Sequence, residues 1–211
     1  MTEPQSKYKF TRDWFSANNA QPLFKAIFEK ILAKTSSPKV LEIGTYEGRS
    51  AIFTLENLPN SELHCVDTFE GSNVHTNEER EGVWDRFMHN CAEFIKEGRL
   101  NVHRGDSKFV LADLLVSEGL REFFDMIYVD GDHSASGVMH DLVQSWMLLK
   151  SGGFLICDDY IWEVSIKIDN TPSPVPLLHQ MPFGAITFFM QMYWGQFEIV
   201  YMSHQFALRK L

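Results

Sequence analysis

The stretch Val40-Leu41-Glu42-Ile43-Gly44-Thr45-Tyr46-Glu47-Gly48-Arg49-Ser50 decides the fold. An apolar run of strand length ends in a turn built on two glycines, and a helical pattern begins at Arg49. Glycine at 44 and 48 permits backbone conformations and close approaches that a side chain would obstruct. A Gly-x-x-x-Gly turn between strand and helix suits a nucleotide-like ligand, though it is less specific than Gly-x-Gly-x-x-Gly. Glu42, at the strand end, sharpens the reading. A carboxylate there can receive a ligand's ammonium group and would repel a dinucleotide's pyrophosphate.

The same alternation continues outward. Before the turn, Leu23, Phe24, Ile27, Phe28, Ile31 and Leu32 fall on one helical face, and residues 1–20 form an irregular lead-in. After it, strands are expected at Leu63–Val66, Leu100–His103, Phe124–Val129 and Phe154–Cys157. Helices are expected at Glu81–Lys96, around Val110–Leu115, and at Val138–Lys150, the last stopping at Gly152-Gly153. Strand–helix units of this length imply parallel strands with helices on both faces. Near the C-terminus, Pro172, Pro174 and Pro176 mark a loop and a helix is expected from Ala185 to Trp194. Phe197–Met202 and Gln205–Arg209 are joined too tightly for a crossover and read as an antiparallel hairpin. The expected architecture is α/β: a Rossmann-like, doubly wound, mostly parallel sheet of about seven strands ending in that hairpin, one domain over 1–211.

Such a sheet binds ligands beyond the carboxyl ends of its strands. Asp67, after the second strand, can accept hydrogen bonds from ribose hydroxyls, with an ordinary loop carboxylate as the competing reading. Asp106-Ser107, after the third, would face an adenine edge, with a helix N-cap as the alternative for Asp106. The fourth strand ends Asp130-Gly131-Asp132-His133 and the fifth Asp158-Asp159-Tyr160. Carboxylates converging there raise one another's pKa or need a cation. Oxygen ligands suit Mg²⁺, Mn²⁺ or Ca²⁺. The plainer alternative has Asp132 capping the next helix and Asp159 facing water. His133 is placed to act as a general base, with Asp132 as competitor. Among the other histidines only His179 is a candidate substrate contact. The polar segment 71–80 is expected to be a lid. Phe183, Phe188, Phe189, Trp194 and Trp162 are candidates for an apolar acceptor wall.

Composition excludes several classes. The 211 residues suffice for a substantial core, and 45% are hydrophobic. The formal net charge of −9, without a Lys/Arg cluster, argues against nucleic-acid binding. An odd cysteine count of 3 without Cys-x-x-Cys spacing points to a reducing compartment without disulfides or zinc. No apolar run of about 18 residues and no leader-like N-terminus occur, so no membrane partner and a cytoplasmic location are expected.

Together, Val40–Ser50, Asp67-Thr68-Phe69-Glu70-Gly71, Asp130–His133 and Gly152–Tyr160, with Asp13-Trp14-Phe15-Ser16 upstream, resemble a bacterial family of class I S-adenosylmethionine (SAM) dependent methyltransferases. That family includes macrocin-type sugar O-methyltransferases and cephalosporin-hydroxylase-like proteins. The resemblance implies that Glu42, Gly44, Tyr46 and Ser50 line the methionine end of SAM, Asp67 its ribose and Asp106-Ser107 its adenine. Thr45, Gly48, Thr68 and Asp130 complete the expected cofactor set. Catechol-type O-methyltransferases share the layout. Their metal-binding Asp and Asp-Asn pair map onto Asp130, Asp158 and Asp159, with Asp159 departing from Asn as in sugar-modifying relatives. Their lysine base maps onto His133, while some sugar-modifying relatives point to Asp132. The implied activity is O-methylation of a hydroxylated small molecule, a sugar being one candidate, assisted by Mg²⁺ (or Mn²⁺ or Ca²⁺). The edge hairpin and lead-in offer surfaces for a homodimer. The rivals are an NAD-dependent oxidoreductase, which explains neither Glu42 nor the acidic cluster, and a non-catalytic SAM- or metal-binding protein.

Overall fold

Apolar runs bounded by turns become strands, and the intervening amphipathic segments become the helices that return the chain. A computed structural model describes residues 7–17, 20–71, 75–161, 167–168, 171–172 and 181–211. The chain divides into two compact units, 1–106 and 107–211.

In the first unit α1 (Trp14–Ala17) and α2 (Gln21–Leu32) precede β1 (Lys39–Ile43), α3 (Arg49–Asn57) and β2 (Glu62–Asp67). A short α4 (Asn77–Arg80), α5 (Val83–Lys96) and β3 (Leu100–Arg104) complete it. The strands lie in the order β3-β2-β1, all parallel, with Glu42 opposite Cys65 and Asp67 opposite Arg104. α2 buries Leu23, Phe24, Ile27, Phe28 and Ile31, the face its periodicity marks, whereas Leu32 is exposed. Phe24 meets the rings of Phe15 and Phe28 edge-on, at 5.1 and 5.8 Å between centroids, which anchors the lead-in through Phe15.

In the second unit α6 (Ser107–Val116), β4 (Phe124–Val129), α7 (Ala135–Leu148) and β5 (Leu149–Cys157) are followed by the small pair β6 (Lys167–Ile168) and β7 (Thr171–Pro172). Then come α8 (Pro182–Met192), β8 (Phe197–Met202) and β9 (Phe206–Lys210). The main strands run β4-β5-β9-β8. β4 and β5 are parallel with Val129 opposite Cys157; β9 is antiparallel to both β5 and β8, with Cys157 opposite Phe206. Seven strands thus make the mostly parallel, Rossmann-like α/β fold with an antiparallel C-terminal pair.

Several boundaries differ from expectation, among them α8, which spans Pro182–Met192, and two of the differences have clear physical reasons. α7 starts at Ala135 because the Ser134 hydroxyl accepts a hydrogen bond from Gly137 N at 3.2 Å, a better start signal than the first apolar residue. Gly152-Gly153 does not stop this helix, which ends at Leu148; both glycines lie inside β5. There the register with β4 shifts between Phe124 and Met126. A Cβ at 153 would stand 2.9 Å from Lys150 O and 3.1 Å from Asp125 O, so the irregular pairing requires glycine. Pro174, Pro176, Trp162 and His179 lie outside the described residues. No helix among the described residues is long and apolar enough to cross a membrane.

Candidate active site

Two groups of polar residues stand at strand ends, one in each unit. In the first unit the chain leaves β1 at Gly44 (φ 87°), whose N–H still donates to Val66 O at 2.9 Å. Tyr46 takes a left-handed conformation (φ 49°), and Gly48 (φ 85°) caps α3. The demand for glycine at 48 comes from inside the protein: a Cβ would lie 2.6 Å from Cys91 Sγ and 3.1 Å from the Phe87 ring. It therefore lets α5 approach the turn, which the sequence alone could not distinguish from approach by a ligand.

Glu42 is 1% exposed and accepts a hydrogen bond from Ser50 Oγ at 2.7 Å. Burial pushes its pKa up to about 7, against the hydrogen bonds of Ser50 and Thr45. Asp67 is likewise raised by burial, although Tyr46 N and Phe69 N donate to its two oxygens at 2.7 and 2.6 Å. Asp67 thus shapes the turn, and each oxygen keeps acceptor capacity for a hydroxyl. Thr45 is buried with Oγ1 3.4 Å from Cys65 Sγ, and Thr68 Oγ1 accepts from Glu70 N at 3.3 Å. The Tyr46 ring stacks on His75 at 4.5 Å. Asp106 and Ser107 sit where β3 gives way to α6, as expected. A buried carboxylate suits a cationic ligand group, which would offset the cost of its burial.

Sequence reasoning missed what holds this turn. Buried Glu47 accepts from Thr11 N at 2.7 Å and Thr11 Oγ1 at 2.9 Å, and pairs with Arg86. Asn90 bonds Lys9 O and Glu47 O through its amide, at 2.8 and 2.9 Å, and accepts from Lys9 N at 2.7 Å. The lead-in is therefore a strap over the turn. Within the segment 71–80, residues Asn77–Arg80 form a helical turn. Thr76 and Glu79 form a reciprocal capping box on α4, and Glu79 O accepts from Tyr46 Oη at 3.1 Å. Residues 72–74 of that segment lie outside the described residues.

In the second unit the β4–β5 register places Asp130 and Asp158 just past paired residues. The Tyr128 hydroxyl, fully buried, bonds both, reaching Asp130 Oδ2 at 2.9 Å and Asp158 Oδ2. One hydroxyl proton serves only one carboxylate at a time, so the arrangement favours an added proton or cation. Burial raises the Asp158 pKa, helped by the charge of Asp159 and opposed by hydrogen bonds from Tyr128, Asp159 N and Gln205. Asp159 adopts φ 56°, a conformation Asp tolerates, with His133 Nε2 2.8 Å from its Oδ2. Burial works to lower the His133 pKa, but Asp159, then Asp132 and Asp158, raise it above the ordinary value.

Among the described residues two triads could hold a metal: Asp130, His133 and Asp159, and Asp158, Asp159 and His204, each with ligand atoms within 4.8 Å of one another. A cleft of about 10 Å³ opens among Asp130, His133, Asp158 and Asp159, about the room one water needs. The donor set fits a divalent cation. Asp132 does not itself cap α7: it accepts from Ser134 N and Oγ, each at 2.8 Å, and so braces the residue that does. His204 was not singled out from the sequence. Of the proposed apolar wall, Phe189 is core and Phe188 and Trp194 are exposed, while Phe183 packs on Tyr160 at 5.1 Å.

Comparison with known proteins bears on this arrangement. Residues 41–160 match a family model described as a methyltransferase domain. An uncharacterized protein of Acanthamoeba polyphaga mimivirus, R132, is 24% identical over 120 residues, which are 57% of this chain and 50% of that protein. The chain thus spans half the length of that curated relative. Among solved structures, SAH-bound methyltransferase PaMTH1 of Podospora anserina matches with a TM-score of 0.58 and 17% identity, covering 95% of this chain and 83% of that one. The O-methyltransferase TomG of Streptomyces achromogenes, in complex with SAM, matches with a TM-score of 0.58 and 16% identity, covering 96% and 91%. MycE, a methyltransferase from mycinamycin biosynthesis in complex with Mg and SAH, matches with a TM-score of 0.59 and 16% identity over 97% of this chain and 51% of that one.

Proposed function

The chain belongs to the methyltransferase-domain family, and from that premise we propose that it transfers a methyl group from SAM to a hydroxyl of a small molecule, assisted by a divalent cation. The observation carrying the oxygen-acceptor reading is the carboxylate–imidazole group at the ends of β4 and β5. MycE, in complex with Mg, SAH and mycinamycin VI, supports the choice of a cation and a small molecule, and a sugar is the first acceptor to try.

In this reading Glu42 binds the ammonium of SAM, with Ser50 fixing its carboxylate. Asp67 accepts the ribose hydroxyls, and Asp106 and Ser107 meet the adenine. Gly44, Thr45, Tyr46, Gly48, Thr68 and Asp130 complete the cofactor set. Asp130, Asp158 and Asp159 hold the cation. When bound, SAM would supply an electrophilic methyl group and the cation a Lewis acid that lowers the acceptor hydroxyl's pKa. His133, held by Asp159, takes the hydroxyl proton. Asp132 is the lesser candidate because Ser134 occupies its carboxylate.

Labelled SAM incubated with a panel of hydroxylated acceptors tests the proposal. Label should appear in an acceptor, fall steeply in chelator and return with added cation. The double variant Asp158→Ala/Asp159→Ala should lose at least about 100-fold in rate, the scale of removing one electrostatic stabiliser. Full activity of that variant in chelator would overturn cation assistance. Label in no acceptor, with SAM bound, would overturn the transferase reading.

A further inference from the structure

A further imidazole reaches the same carboxylates from the C-terminal hairpin, and the reaction proposed above does not use it. The turn Ser203-His204-Gln205 stands beside the end of β5 because β9 runs antiparallel to it, with Phe206 opposite Cys157. The turn is clamped there. Tyr160 N donates to His204 O at 2.8 Å, Gln205 Nε2 to Asp158 Oδ1 at 3.0 Å, and Ser203 N to Gln205 O at 2.9 Å.

His204 Nε2 is shielded from solvent yet makes no hydrogen bond among the described residues. It lies 3.2 Å from Asp159 Oδ1 and 3.8 Å from Asp158 Oδ1. Two ligands each about 2.1 Å from one ion stand roughly 3.0–3.4 Å apart at octahedral to tetrahedral angles. The Asp159–His204 spacing falls in that range, and Asp158 needs only a small shift. Hydrogen bonds from Gln205, Tyr128 and Asp159 N orient Asp158, as the carboxylate ligands of metals are usually oriented.

We propose that His204 is a ligand of the divalent cation together with Asp158 and Asp159, and that its imidazole makes the seat prefer a transition ion such as Co²⁺, Ni²⁺ or Zn²⁺ over Mg²⁺. Oxygen-only seats suit Mg²⁺, whereas imidazole favours the later first-row ions. The two histidines then divide Asp159: His204 shares the ion at Oδ1, and His133 stays on Oδ2 as proton acceptor. This assignment rests on the cation reading above and narrows it.

The test titrates the full chain with Co²⁺ and with Mg²⁺ by calorimetry, and records proton NMR of the Co²⁺ form. His204→Asn and His133→Asn are compared with the parent chain. The backbone carbonyl of residue 204 makes the clamp, so His204→Asn should keep its thermal midpoint within a few degrees. One Co²⁺ should bind per chain, at least about 10-fold more tightly than Mg²⁺. A hyperfine-shifted, exchangeable imidazole N–H signal should appear, vanish in His204→Asn and persist in His133→Asn. Co²⁺ affinity should fall by about 10–100-fold in His204→Asn, with Mg²⁺ affinity changed much less. Persistence of the shifted signal in His204→Asn, or Mg²⁺ binding as tightly as Co²⁺, would overturn the His204 assignment and leave the cation seat standing. If neither ion bound, assignment and seat would both fall, and S-adenosylhomocysteine binding by the same sample would show whether the methyl-transfer reading survives.

Discussion

Glu42 is a buried carboxylate whose neighbours do not fully compensate its burial. Its pKa, raised from 4.5 to about 7, means that the folded chain holds this proton more tightly than the unfolded chain does. The stabilising contribution is fully present below pH 4.5 and is lost as pH rises through about 7. The magnitude is about 3 kcal/mol. In ligand-free protein, thermal melts should show stability falling from pH 4.5 to 7, and Glu42→Gln should flatten that slope; an unchanged slope would remove Glu42 as the cause. At this scale the sequence revealed the carboxylates but not their partners. Asp130, Asp158 and Asp159 were legible because each lies just past an apolar run. The Tyr128 hydroxyl between two of them was not, because alternation marks Tyr128 only as a core residue. Asp132 and His133 are sequence neighbours with different surroundings, and only the structure separates the residue held by Ser134 from the one held by Asp159.

Elements show where the periodic signal suffices and where it fails. The face of α2 follows directly from its i, i+4 spacing, so Phe24→Ala should cost about 3–5 kcal/mol in denaturant unfolding. A loss below 1 kcal/mol would mean that this face is not core. The turn before α3 depends instead on a contact distant in sequence. Gly48→Ala should destabilise by roughly 1–3 kcal/mol, and Cys91→Ala in the same chain should recover part of the loss, since Sγ is the atom a Cβ would meet. Strict additivity of the two substitutions would refute that contact. The capping box makes a similar claim for α4. Thr76→Ala should cost about 1 kcal/mol locally and speed proteolytic cleavage near residues 76–81; unaltered cleavage would count against it. Strand pairing explains why His204 was overlooked. In an antiparallel partner the first residue of β9 meets the last of β5, so the hairpin turn arrives where parallel strands deliver their ligands. Recognising this from sequence requires the register, which the hairpin's alternation alone does not provide.

For the whole molecule, the order of the main-sheet strands and the longer helices was readable from sequence, including the C-terminal antiparallel pair, because short strands and longer helices alternate with clear turn residues; the short α1, α4, β6 and β7 carry too few residues for a periodic signal. The strap formed by residues 7–13 was not readable, since it is held by Glu47, itself paired with Arg86, and by Asn90 from other elements and not by any pattern of its own. The family match places the chain among methyltransferase domains, and in the proposed reading the buried carboxylate at the end of β1 receives the ammonium of SAM and would repel a dinucleotide's pyrophosphate. The most direct measurement is a calorimetric titration of the chain with S-adenosylhomocysteine, repeated with NAD and with the Glu42→Gln variant. The expected result is one S-adenosylhomocysteine site per chain, weakened about 10–100-fold by the substitution, as for loss of a charged hydrogen bond, and no heat with NAD. Binding of NAD in place of S-adenosylhomocysteine, or S-adenosylhomocysteine affinity indifferent to Glu42→Gln, would contradict the account.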